Sequence, residues 1–274
     1  GSGSSLLKDT WDRLAPLAGE QRVMVVTGRA HRAAVEEQLP ELADLNVVLE
    51  SEPRDSAAAI GLAAAILEKR EPGVIIGSFA ADHVIKGTRF FNMAVAEAVE
   101  AARAGFIATI GIVPTEPAIG FGYIHATEET ELDGAPSALK VDSFVEKPNA
   151  HTAEEYVNSG DYLWNAGMFI TKASVLLEEL AKTQPELHAG VLALAEVWDD
   201  HAKRGPAVDK IWPTLKKIAI DYAVAEPAAA AGKPIGGIEA AADSTNTISS
   251  SDATTVTSLI PGKQSRTSSP RPAA

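Results

Sequence analysis

Five short segments carry residue types able to handle a phosphorylated sugar. Glu146-Lys147-Pro148 sets an acid beside a base where an apolar run must stop. The ammonium would neutralise a phosphate and the carboxylate would accept from hydroxyls. Successive strand residues face opposite ways, but a chain leaving the sheet at Pro148 can turn both groups toward one cleft. In Ser78-Phe79-Ala80-Ala81-Asp82-His83 an apolar run ends on a carboxylate. Asp82 is the candidate ligand for Mg²⁺, an ion satisfied by one or two protein carboxylates plus water and substrate phosphates. His83 reads as a packed or capping residue.

Glu52-Pro53-Arg54-Asp55-Ser56 lies at a strand-to-helix junction, where Arg54, Asp55, Ser56 and the helix's first N–H groups are candidates for the nucleotide side. Gly120-Phe121-Gly122-Tyr123-Ile124 joins glycines, which allow close backbone approach, to aromatics able to lie on a sugar, making Gly122 and Tyr123 substrate candidates. In Trp164-Asn165-Ala166-Gly167 the Asn165 amide can both donate to and accept from a diol. Each segment alone has a plainer reading: a helix cap at Asp55 or Ser56, a capping Asp82, a bulged strand at Gly120–Gly122, an exposed ion pair at Glu146 and Lys147, a buried amide at Asn165.

The elements that must position these residues alternate. Strands are expected at residues 23–27, 47–50, 74–79 and 106–113, with helices at 31–39, 56–69 and 89–104 between them. That is the pattern of a mainly parallel α/β sheet, whose carboxyl edge is where ligands bind. Beyond Val113, strands at 120–125, 138–145 and 163–171 are separated by irregular or short helical segments. Helices follow at 173–182, 190–203, briefly at 208–215, and at 220–231. From Pro234 onward the chain is dense in Ser, Thr, Ala and Pro and has no aromatic residue, so a disordered tail is expected at 233–274 after one domain at 6–232.

The net charge of −13 over 274 residues argues against a nucleic-acid surface and asks for a local cation wherever a phosphate binds. The absence of cysteine excludes disulfides and thiol chemistry. With no apolar run long enough for a bilayer and no signal-like N-terminal segment, a cytoplasmic protein without membrane contact is expected.

Taken in order, the five segments, followed by Ile220-Asp221-Tyr222-Ala223-Val224, resemble the mannose-1-phosphate guanylyltransferases of the sugar-1-phosphate nucleotidyltransferase family over about four-fifths of the chain. The resemblance implies a Rossmann-like nucleotidyltransferase fold, a mixed sheet flanked by helices. It also implies transfer from GTP to mannose 1-phosphate, giving GDP-mannose and pyrophosphate with Mg²⁺. Carried over, Asp82 would bind the metal, Arg54 and Asp55 would lie near the nucleotide, and Gly122, Glu146 and Asn165 would contact the sugar. Lys147 would approach its phosphate.

The likeness begins near Ser5 and ends near Ala231, without the Gly-rich loop and the Trp-x-Asp-Val-Gly segment that family members carry on either side. The resemblance thus implies a truncated member with its first strand missing, one half of the metal site absent and little transferase activity. Two rivals stay open: a non-catalytic module that binds sugar phosphate or nucleotide and pairs with a homologue or with itself, and the same reaction on another sugar or base.

Overall fold

The computed structural model describes residues 4–85, 87–240 and 255–260. In chain order the elements are α1 (Leu6–Ala18), β1 (Val23–Gly28), α2 (Arg32–Gln38), β2 (Val47–Glu50), α3 (Asp55–Arg70), β3 (Ile75–Ala80), α4 (Thr88–Arg103), β4 (Ile107–Ile112), β5 (Gly122–Glu129) and β6 (Ala138–Glu146). They continue with α5 (Ala150–Ser159), β7 (Tyr162–Lys172), α6 (Ala173–Thr183), α7 (Pro185–Val197), α8 (His201–Ile211), a π turn (Asp221–Ala225), α9 (Glu226–Ala230), β8 (Ile235–Ala240) and β9 (Thr255–Ile260).

Alternation along the strands divides the apolar residues between two layers. Val23 and Val25 of β1, Ile75 and Phe79 of β3 and Ile110 of β4 pack with α1 and α4 on one face. Met24, Val26 and Ile76 point the other way, onto α3, α6 and α7. Helix α3 is buried along Ala57–Leu67 and is alanine-rich, which lets it lie close to its neighbours. A Cβ at Gly61 would stand 3.1 Å from Leu180.

The nine strands run in the order β2-β1-β9-β3-β7-β4-β8-β6-β5. Strands β1 and β2 are parallel, as are β4 and β8, while β7 is antiparallel to both β3 and β4. Strand β5 pairs with β7 as well as β6, so β7, β4, β8, β6 and β5 close into a ring. Gly111 and Gly237 keep the ring's interior open for Leu163, Ile124 and Val141: a Cβ on Gly111 would fall 2.6 Å from Leu163, one on Gly237 3.2 Å from Ile124.

Three expectations need correcting. The tail is not without order throughout, because β8 extends the sheet beside β4, and β9 inserts between β1 and β3, antiparallel to both. Sheet position outweighs composition here: the facing edges of β1 and β3 offer unpaired N–H and C=O groups that a β-branched segment such as Thr255-Val256-Thr257 can satisfy. For the same reason the sheet is not left with an open gap at its centre. Residues 241–254 and 261–274 lie outside the described residues. The helix expected at 190–203 is instead two helices, because Asp200 caps α8 through Ala202 N and Lys203 N while Pro185 opens α7. Among the described residues, no helix is long and apolar enough to cross a membrane.

Candidate functional site

Three strands bring the sugar-side candidates together. Gly122 pairs with Glu146 on one side and Asn165 on the other. A Cβ at Gly122 would lie 2.5 Å from Glu146 Oε2 and 3.4 Å from the Asn165 Cβ, so only glycine leaves the Glu146 carboxylate where it stands. Lys147 takes φ +50°, a left-handed conformation that lets it turn back rather than alternate away, and its Nζ lies 3.2 Å from Glu146 Oε1. Glu146 and Lys147 thus stand side by side as an ion pair at the end of β6. The Glu146 side chain is 9% exposed and that of Lys147 58%, so the acid is the fixed member and the base the reaching one.

Asn165 is 6% exposed and its orientation is determined. Its Oδ1 accepts from Thr109 Oγ1 at 2.7 Å and from Gly167 N at 3.1 Å, while its Nδ2 donates to Asp221 Oδ1 at 2.8 Å. Gly167 reaches back at φ +67°, where a side chain would be strained.

The electrostatics are those of crowded acids paired with Lys147. Burial and the Glu146 charge raise the Asp221 carboxyl to about 7. Burial also raises Glu146, against the opposing pull of Lys147, with Glu226 and Asp55 pushing the same way as burial. Lys147 is raised as well: burial works against its charge, and Glu146, Tyr222 and Asp221 outweigh it. Nearby, burial and Asp55 lift Glu50 to about 7.

Four candidates fall elsewhere. Tyr123 does not reach a ligand: it is 0% exposed, its hydroxyl donates to Ala118 O at 2.9 Å, and its ring packs 5.4 Å from Tyr156. Strand alternation explains this, since Gly122 faces the cleft and its neighbour must face away. The start of α3 is also spoken for. Ser56 N is taken by the Asp55 carboxylate at 2.8 Å, Ala57 N by Ile218 O at 3.1 Å, and Ser56 Oγ accepts from Ile220 N at 2.9 Å. Arg54 bonds Glu52 and the Pro213 carbonyl. Arg54 and Ser56 thus bind the 213–220 segment, and Asp55 takes up the Ser56 N–H at the start of α3.

Asp82 sits two residues past β3, partly covered. Strand β4 holds one edge of β7, and the other edge is shared by β3 at residues 169–172 and β5 at 162–165. Asp82 and Gly122 therefore lie at the break between those two strands. No hydrogen bond or ion pair among the described residues joins Asp82 to Glu146, Lys147 or Asn165. Nor do three acids or histidines gather there to hold a metal. A lone carboxylate suits Mg²⁺ only when phosphate oxygens and water complete its shell. His83 is 4% exposed and packed, as expected.

Sequence reasoning missed Asp221 and Glu226 as members of the site. Glu226 Oε1 accepts from Glu146 N at 2.9 Å. Asp221 lay in the segment Ile220–Val224 that completes the family resemblance, with no role attached to it, and Glu226 lay outside that segment.

A nucleotidyl transferase family model matches residues 1–212. A mannose-1-phosphate guanylyltransferase of Escherichia coli K12 is 37% identical over 226 residues, 81% of this chain and 47% of that protein. A Vibrio cholerae protein named as a mannose-1-phosphate guanylyltransferase is 39% identical over 68% of this chain and 39% of its own length. A solved structure from Thermus thermophilus, titled mannose-1-phosphate geranyltransferase, superposes with a TM-score of 0.75 at 27% identity, covering 87% of this chain and 64% of that one. The chain spans less than half the length of these curated relatives.

Proposed function

Since the chain belongs to the nucleotidyl transferase family, we propose that its cleft serves nucleotidyl transfer from GTP to mannose 1-phosphate, giving GDP-mannose and pyrophosphate. In that reaction a sugar-phosphate oxygen attacks the α-phosphorus in line and the bond to pyrophosphate breaks, so the protein's share is positioning and charge neutralisation. The observation that carries the reading is the convergence of Glu146, Lys147 and Asn165 on Gly122.

Lys147, exposed at its tip, neutralises the sugar phosphate. Glu146, fixed and nearly buried, accepts from sugar hydroxyls. Asn165 offers its remaining N–H, and Gly122 leaves the Glu146 carboxylate room to stand beside it. Asp82 would hold Mg²⁺, which supplies charge neutralisation at the phosphates when bound. Arg54 and Ser56 act on the nucleotide side through the 213–220 segment that they anchor, and Asp55 through the Ser56 N–H at the start of α3. GTP as donor supports a cytoplasmic place of work.

The test is pyrophosphate release by the purified chain supplied with GTP, Mg²⁺ and mannose 1-phosphate. Release that needs all three is expected; folded protein that releases none, whatever its concentration, would overturn the reading.

A further inference from the structure

A π turn is uncommon, and here it interrupts the chain between Ile220 and Glu226. Its i→i+5 spacing puts Asp221 and Glu226 on the same side of the turn, and each bonds a residue of the candidate site. Asp221 Oδ1 takes the Asn165 Nδ2 proton at 2.8 Å, holding a side chain of β7. Glu226 Oε1 takes the Glu146 backbone proton at 2.9 Å, holding the end of β6. Two acids from one turn thus secure sugar-facing residues on two different strands.

The donor inventory of Asn165 shows what the first of these bonds achieves. Both lone pairs of Oδ1 are used, by Thr109 and Gly167, and one of the two Nδ2 protons goes to Asp221. What is left is a single N–H. Rotating the amide by half a turn would set Nδ2 against the Gly167 N–H and Oδ1 against the Asp221 carboxyl, two contacts without a matching partner. The Gly167 N–H, which can only donate, and the Asp221 oxygen opposite it together decide that the ligand meets a donor at Asn165 and not an acceptor.

We propose that Asp221 is a positioning residue of the sugar subsite, acting through Asn165: it locks the amide so that one N–H faces a hydroxyl of the bound hexose phosphate. The role requires an acceptor oxygen at position 221 and not its charge. It rests on the proposed function for the ligand's identity, though not for the amide's geometry.

The test compares Asp221→Asn, Asp221→Ala, Asn165→Ala and the Asp221→Ala/Asn165→Ala double variant. Steady-state kinetics would use GTP and mannose 1-phosphate, with thermal unfolding to verify folding. Leaving the Asn165 N–H without its acceptor costs about 1–3 kcal/mol, or roughly 5- to 150-fold. Asp221→Ala should raise KM for the sugar phosphate by about that factor and leave KM for GTP unchanged. Asp221→Asn, which keeps an acceptor, should stay within about three-fold of the parent. The double variant should be no worse than Asn165→Ala alone, as required of two residues acting as one unit. Multiplying effects in the double variant, an equal defect in Asp221→Asn, or a change in KM for GTP would each overturn the proposal.

Should the parent protein neither turn over nor bind mannose 1-phosphate, the proposed function fails while the side-chain amide spectrum still decides this inference. Asn165 Nδ2 protons protected from exchange in the parent and in Asp221→Asn, but not in Asp221→Ala, support it. Equal protection in all three overturns it.

Discussion

Thr257→Pro is expected to lower the melting temperature by at least several degrees, and ending the chain at Thr254 to cost more. Strand β9 pairs with four residues of β1 and six of β3, so it is an inner strand bonded on both edges. Proline at position 257 removes one N–H from this ladder and leaves its acceptor unsatisfied. The bond is worth about 1 kcal/mol and the orphaned group about 1–3 kcal/mol. For a chain of this size each kcal/mol moves the midpoint by roughly 2–4 °C. Ending the chain at Thr254 instead frees the facing edges of β1 and β3, which are then open to pairing with other chains, so aggregation should accompany the loss. Calorimetric or dichroism melts check both. Unchanged melting in Thr257→Pro would mean that the segment 255–260 contributes nothing to the sheet.

The second expected result concerns pH. The Asp221 carboxyl sits near 7 in the folded protein because burial, and then the charge of Glu146, disfavour its ionised form; its ordinary value is 3.8. In the unfolded chain the proton leaves near the ordinary value. Between about pH 4 and 7 the folded state therefore holds a proton that the unfolded state has released, and stability falls as pH rises through that window. The loss is complete above it, on the order of a few kcal/mol. Glu50, raised to about 7 by burial and Asp55 from an ordinary 4.5, adds to the same trend. Asp221→Asn cannot ionise, so it should melt higher than the parent at pH 8, with a smaller gain at pH 5. A gain independent of pH, or a larger one at pH 5, would contradict this assignment. The groups facing Asp221, namely Glu146, Lys147, Asn165 and Tyr222, are the same in both proteins, so the difference isolates the one carboxyl.

What the sequence made legible follows from what is local. The runs at 23–27 and 47–50 sit within a residue of β1 and β2 because β-branched residues between turn signals announce buried strands without outside help. Strands β8 and β9 were hidden for opposite reasons. Ile235-Gly236-Gly237-Ile238 looks like loop, since its glycines answer to distant neighbours: Gly237 is small because Ile124 and Val141 stand beside it. Thr255-Val256-Thr257 does carry a strand signal, but polar and small residues around it outvote it in any composition window. The candidate site divides the same way. Glu146 and Lys147 adjoin in sequence and their shared cleft could be inferred from Pro148. The Asn165–Asp221 bond joins residues 56 apart, and nothing in either neighbourhood states it. Tyr123 was misplaced because a glycine-aromatic pair gives no indication of which member faces the ligand until the register with β6 and β7 is known.

The central claim is that Glu146, Lys147 and Asn165 form one pocket for a phosphorylated hexose. Calorimetric titration of mannose 1-phosphate into the parent chain and into Lys147→Ala tests it most directly, with free mannose as the second titrant. Binding at one site per chain is expected for the parent, weaker by about ten-fold or more in Lys147→Ala, where a charge-assisted contact worth about 1.5–3 kcal/mol is lost. Free mannose, which has no phosphate for Lys147 to meet, should bind both proteins alike. Equal affinity of the two proteins for mannose 1-phosphate, or no heat from a parent chain shown to be folded, would contradict the claim.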